Sequence, residues 1–83
     1  MASETLNIAL SSPPDRDELV AEIFVSSQQL AEINTQFGYF CVEIYPRQDG
    51  QPWVLDYRQF LQSLTEAKAR LIERIGDLPA DEA

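Results

Sequence analysis

Three glutamates, Glu22, Glu32 and Glu43, are the residues whose spacing first suggests chemistry. Each sits in an alternating apolar–polar run, AEIFV, AEIN and CVEIY. If the runs are neighbouring strands, the three carboxylates stand side by side on one face. Paired carboxylates do acid–base work when a desolvated cleft drives their pKa values apart, and an 83-residue chain has little room for such a cleft. The other readings are a solvated sheet face and a face that receives a partner. The partner reading gains from Phe24, Tyr39 and Tyr45, which the same alternation sets among the acids. Aromatic anchors ringed by charge are a common interface make-up. Glu22, Phe24, Glu32, Tyr39, Glu43 and Tyr45 are therefore the candidate contact residues.

Little else in the chain can react. It has no histidine, which removes Ser-His-Asp and Cys-His pairs and the commonest nitrogen ligand for metals. Its one cysteine, Cys41, forms neither a cysteine zinc cluster nor an internal disulfide. No adjacent cation lowers the Cys41 thiol pKa, so it reads as a packing residue. Gly38, Gly50 and Gly76 are scattered and suit turns or a helix cap, not a phosphate-binding loop. Asp15, Asp17 and Glu18 bunch together but lack the glycine turn and closing glutamate of a calcium loop. The expectation is no catalytic residue, no metal and no cofactor.

The elements that would hold the glutamate row can be read from periodicity. Phe60, Leu61, Leu64, Ala67, Leu71, Ile72 and Ile75 recur at three- and four-residue steps, which predicts an amphipathic helix over 57–75. Asp56 suits its N-cap, with Gln59 in capping-box register, and Gly76 and Pro79 stop it. Arg70 and Arg74 suit its negative end. Upstream, Tyr39–Pro46 reads as a half-buried strand, Phe40, Val42 and Ile44 alternating with Tyr39, Cys41, Glu43 and Tyr45. Pro52-Trp53-Val54-Leu55 is an edge strand or an apolar bridge into the helix, with Trp53 a core lid or an interface anchor.

Residues 18–36 carry two patterns. As two strands joined near Ser26–Gln29, they turn Leu19, Ala21, Ile23, Val25, Ala31, Ile33 and Thr35 inward. Glu22, Phe24, Glu32 and Asn34 are then left outside. As a helix, Leu19, Val20, Ile23, Phe24, Leu30 and Ala31 make a stripe that Ser26-Ser27 interrupts. The β-branched residues favour strands. A continuous helix would dissolve the glutamate row.

The whole chain, 1–83, reads as one α+β domain, a small antiparallel β-meander of three to four strands packed on one C-terminal amphipathic α-helix. Residues 1–17 form an N-terminal arm in which LNIAL is a possible short strand, 18–57 the meander, 57–75 the helix and 76–83 a solvated tail. The formal net charge is -8, and it is unevenly placed. Residues 1–57 hold nine acids against Arg16 and Arg47, while 58–75 hold Arg58, Lys68, Arg70 and Arg74 against Glu66 and Glu73. This acidity disfavours nucleic acid and anionic membranes and favours encounter with a basic protein. With no apolar run long enough to span a bilayer and no signal-like start, the expected location is the cytoplasm.

From Glu18 to about Leu71 the chain runs ELVAEI, a second AEI strand, YFCVEIYP, an acidic DG turn with PW, and a terminal helix. In size, charge and architecture it resembles the small acidic bacterial immunity proteins that neutralise toxins. The resemblance implies a non-catalytic cytoplasmic inhibitor that covers a basic toxin or nuclease, and it assigns no role to individual residues. Two other functions remain open from sequence: a phage-type inhibitor that mimics nucleic acid, and a structural or regulatory subunit that pairs through its sheet edge.

Overall fold

The computed structural model describes residues 5–14 and 18–76; the expected solvated tail beyond Gly76, together with Asp15, Arg16 and Asp17, lies outside them. Four strands, β1 (Leu6–Ser11), β2 (Val20–Val25), β3 (Gln28–Asn34) and β4 (Cys41–Ile44), form an antiparallel sheet in chain order. They are followed by one helix, α1 (Tyr57–Ile75). The architecture is the α+β meander-and-helix that the sequence predicts. LNIAL is a full strand paired with β2 along its length, not a loose arm.

Residues 18–36 are two strands, as their β-branched content favours. Val25 faces Gln28 across the two-residue turn Ser26-Ser27, and Ser26 takes φ 55 to close it. Ala21, Ile23, Val25, Ala31 and Ile33 join Leu30 in a buried cluster that Ala67 and Leu71 complete from α1. Leu30 joins through an irregularity: the pairing slips between Ile23 and Phe24, so β3 carries an extra residue there and both Leu30 and Ala31 are buried in the core.

Asp56 caps α1 as expected, its Oδ2 accepting the Gln59 amide at 2.9 Å, and the Gly76 amide closes the other end on the Ile72 carbonyl at 2.7 Å. The buried line of the helix is Ser63, Ala67 and Leu71, with Ser63 Oγ donating to the Phe60 carbonyl at 2.8 Å. This corrects the predicted stripe. Leu61 and Ile75 are exposed, because only the residues centred on that line reach the sheet.

The helix packs over β1 and β2 and reaches only the margin of β3. β4 is left uncovered on its helix side. Val42 and Ile44, predicted to be the inward residues of a half-buried strand, are 46% and 59% exposed. Pro52–Leu55 is the bridge rather than an edge strand. In it Trp53 packs on the core, donates Nε1–H to the Tyr45 carbonyl at 2.8 Å and lies under the Arg47 guanidinium.

Burial separates residues that periodicity alone treats as equals. Leu71→Ala, in the core, is expected to lower unfolding free energy by about 2–5 kcal/mol. Leu61→Ala, on the same predicted stripe, is expected to stay within about 0.5 kcal/mol of wild type. Urea unfolding of the two variants tests the placement, and equal losses would refute it.

Candidate partner-binding face

The face of the sheet away from α1 carries the glutamate row. The register sets Glu22 opposite Glu32 and Glu32 opposite Glu43, with Ala9 of β1 beyond Glu22. Three carboxylates thus stand abreast on neighbouring strands, about 4.8 Å apart in backbone spacing. The pattern arises because each Glu occupies the polar phase of its strand, while its neighbours Ala21 and Ile23, or Ala31 and Ile33, are drawn into the core.

The row is not uniformly solvated. Glu32 is 4% exposed and Asn34, beside it on the same strand, 1% exposed. The Asn34 side-chain amide donates to Glu32 Oε2 at 2.9 Å and to Glu43 Oε1 at 2.7 Å, while its Oδ1 accepts the Gln36 backbone amide at 3.2 Å. The Tyr45 hydroxyl donates to Glu32 Oε1 at 3.1 Å, reaching diagonally across from just past the end of β4. Gln36 Nε2 donates to Glu43 Oε1 at 3.2 Å. At the end of β3, the Thr35 hydroxyl donates to Glu18. Both protons and the oxygen of the Asn34 amide are used, so this residue fixes the spacing of two carboxylates at once.

Glu22 and Glu43 flank this centre and remain partly exposed. Burial, and secondarily the negative charge of Glu32, push the Glu22 carboxyl above its ordinary pKa of 4.5. Among the described residues no group of three His, Cys, Asp or Glu side chains is arranged to hold a metal ion.

Of the six candidate contact residues, five share this face: Glu22, Phe24, Glu32, Glu43 and Tyr45. Glu32 is too buried to meet a partner directly and serves the face from beneath. Tyr39 lies before β4, in the exposed β3–β4 connection, where its ring is 6.2 Å from that of Phe37. Gly38 between them takes φ 86, and its amide bonds the Thr35 carbonyl at 3.0 Å. Gln36 joins this aromatic turn to Glu43. Sequence reasoning missed Asn34, Gln36 and Phe37. Asn34 could have been found, since it sits two residues from Glu32 in the same phase of the strand.

Comparison with protein families, with curated proteins and with solved structures gives no match, so the site rests on its own geometry. Among the described residues, no helix is long and apolar enough to cross a membrane.

The arrangement makes two predictions. Because the folded-state pKa of Glu22 lies above its unfolded value, ionised Glu22 opposes folding above that pKa, and the penalty fades as pH falls through it. Glu22→Gln is expected to gain about 0.2–1 kcal/mol at neutral pH and to lose that gain in acid. Denaturant unfolding from neutral to acid pH reads it, and a gain independent of pH would contradict the assignment. Asn34→Ala strips both carboxylates of their shared donor and is expected to cost about 1–3 kcal/mol, read by thermal unfolding. A neutral result would show the network to be dispensable.

Proposed function

We propose that this chain is a non-catalytic protein-binding module, an inhibitor of the immunity-protein kind, whose partner is a basic protein in the cytoplasm. The observation that carries the reading is the in-register row of Glu22, Glu32 and Glu43 beside the exposed Phe37–Tyr39 pair. Like charges directly opposed on neighbouring strands are destabilising. A surface that needed acid only for solubility could stagger its carboxylates and avoid that repulsion. Here they are held abreast, by the Asn34 amide for two of the three.

The residues divide the work of recognition. Glu22 and Glu43 present negative charge at fixed spacing and raise the rate of encounter with a cationic surface. Phe37 and Tyr39 offer exposed rings that can be desolvated in the complex, where aromatic anchors carry much of the binding energy. Phe24 and Tyr45, half-buried on the same face, frame the carboxylates. A non-catalytic role is supported by the lack of histidine and by the engagement of both Glu32 oxygens, one by Asn34 and one by Tyr45. The single free Cys41 fits a reducing compartment.

The test is association kinetics with a basic protein captured from cell extract, at low and high salt. Glu22→Lys combined with Glu43→Lys is expected to slow association about tenfold or more at low salt, flatten the salt dependence and leave the circular dichroism unchanged. A double variant that binds at the wild-type rate would overturn the assignment of this face. Loss of the partner to heparin would favour nucleic-acid mimicry over shape-specific inhibition.

A further inference from the structure

The two edges of the sheet are finished differently. On the β1 edge, Arg70 is held by the Glu66 carboxylate one turn back on α1 and donates to the Ile8 carbonyl at 3.4 Å. Ile8 faces Ile23, whose own backbone pairs with Ala31 of β3, so the Ile8 carbonyl is one that points out of the sheet. A helix cation therefore occupies an acceptor that another strand would need, a recognised way of blunting an edge.

β4 has no such guard among the described residues. The Tyr45 amide bonds the Leu30 carbonyl at 2.9 Å. Antiparallel alternation then turns the N–H and C=O groups of Val42 and Ile44 away from β3 and into the open edge. The side chains of these two residues project on the helix side, which α1 leaves bare, and both are well exposed. The near flank of α1 carries an exposed aliphatic residue beside a cation. Lys68 stands 5.1 Å over the Phe40 ring just before β4, and Leu61, seven residues earlier and on the same flank, is 45% exposed. On the other face of β4 lies Glu43, with Glu32 and Glu22 behind it. One short strand thus offers backbone partners at its edge, aliphatic side chains on one face and carboxylate on the other.

We propose that the open edge of β4 receives an extended strand of the partner protein, paired antiparallel, in which aliphatic residues alternate with lysine or arginine. The aliphatic residues of such a strand cover Val42 and Ile44, and its cations meet Glu43. Charge selects this occupant over a second copy of the chain. A two-fold pairing that sets Val42 against Ile44 would oppose Glu43 to Glu43, between two chains of formal net charge -8. The inference rests on the protein-binding reading and specifies where the partner docks and what chemistry it brings.

The test uses the full chain, isotopically labelled, and an end-blocked peptide that alternates lysine and valine. Binding is expected to shift the amide signals of Val42 and Ile44 and slow their hydrogen exchange. In antiparallel pairing the valine amides of the peptide face β4. N-methylation of those nitrogens is expected to weaken binding about tenfold, as the loss of two backbone hydrogen bonds implies. Methylation of the lysine nitrogens leaves it within about twofold on the same accounting. Val42→Lys, at an exposed position, is expected to weaken the peptide without unfolding the protein.

Equal affinity of the two methylated peptides, unmoved Val42 and Ile44 signals, or no binding at millimolar peptide would overturn the proposal. So would a dimer in sedimentation that the peptide does not dissociate. If the edge tests fail while Glu22→Lys with Glu43→Lys still slows association with the basic protein, the acidic-face reading stands and strand addition alone falls. If that double variant also has no effect, both fall.

Discussion

The polar half of this molecule depends on the burial of one carboxylate. Glu32 sits on the central part of the sheet at 4% exposure, where an ionisable group without partners would be costly. Its partners come from β3 and from the residue that follows β4: the Asn34 amide on one oxygen and the Tyr45 hydroxyl on the other. The requirement reaches outward from there. Asn34 must reach both Glu32 and Glu43, and Gln36 then joins Glu43 and the aromatic turn to the same network. Glu22, on neighbouring β2, has its pKa raised by burial and secondarily by the charge of Glu32. Hydrogen bonds thus fix the relative positions of groups that repel one another. That is a condition for recognition by geometry as well as by net charge.

The apolar half follows a different constraint, the width of the helix. One α-helix with its side chains is about 10–12 Å across, and strands lie about 4.8 Å apart. It can cover two strands well and a third in part, and α1 does this over β1, β2 and the margin of β3. Trp53 and Leu55, in the bridge that leads into α1, pack on the same core. Val42 and Ile44 remain beyond that cover. Their exposure follows from a four-stranded sheet served by a single helix. The same asymmetry explains the edges, because Arg70 on α1 stands close enough to β1 to close it and no residue of α1 makes the equivalent reach to β4 among the described contacts.

Much of this was legible in residue order. The two-residue period of AEIFV and AEIN carries the face on which each glutamate lies. Once the runs are neighbouring strands with short connections, side-by-side carboxylates follow. Asp56, Gln59 and Gly76 mark the helix ends because capping is a local interaction between a few consecutive residues. What was not legible is non-local. Periodicity says that Val42 and Ile44 share a phase with Ile33, but not that the helix stops short of their strand. Nor does it say that Glu32, polar and in an outward phase, is buried and takes a hydrogen bond from a tyrosine thirteen residues away. Leu61 was misplaced for a related reason. A helical stripe read from apolar residues is wider than the line that touches the sheet, and Ser63, a polar residue, occupies that line instead.

These two halves meet at β4, and their meeting constrains what the chain can bind. A strand reads a surface through alternation, with one set of side chains to each face and the backbone between them. On β4, carboxylate, aliphatic surface and outward-facing backbone lie within a few residues of each other. A flat basic surface could satisfy Glu43 and Glu22 but would leave Val42 and Ile44 wet. A purely apolar surface would do the reverse. Only a segment with the same two-residue period satisfies both faces while pairing the edge. The same logic accounts for the features that keep β4 from promiscuous pairing: it is four residues long, carries an acid at its third position, and is followed two residues after its end by Pro46, which has no amide proton to donate. Such an edge disfavours acidic strands and copies of itself, which set carboxylate against carboxylate, and suits the complementary strand proposed for it.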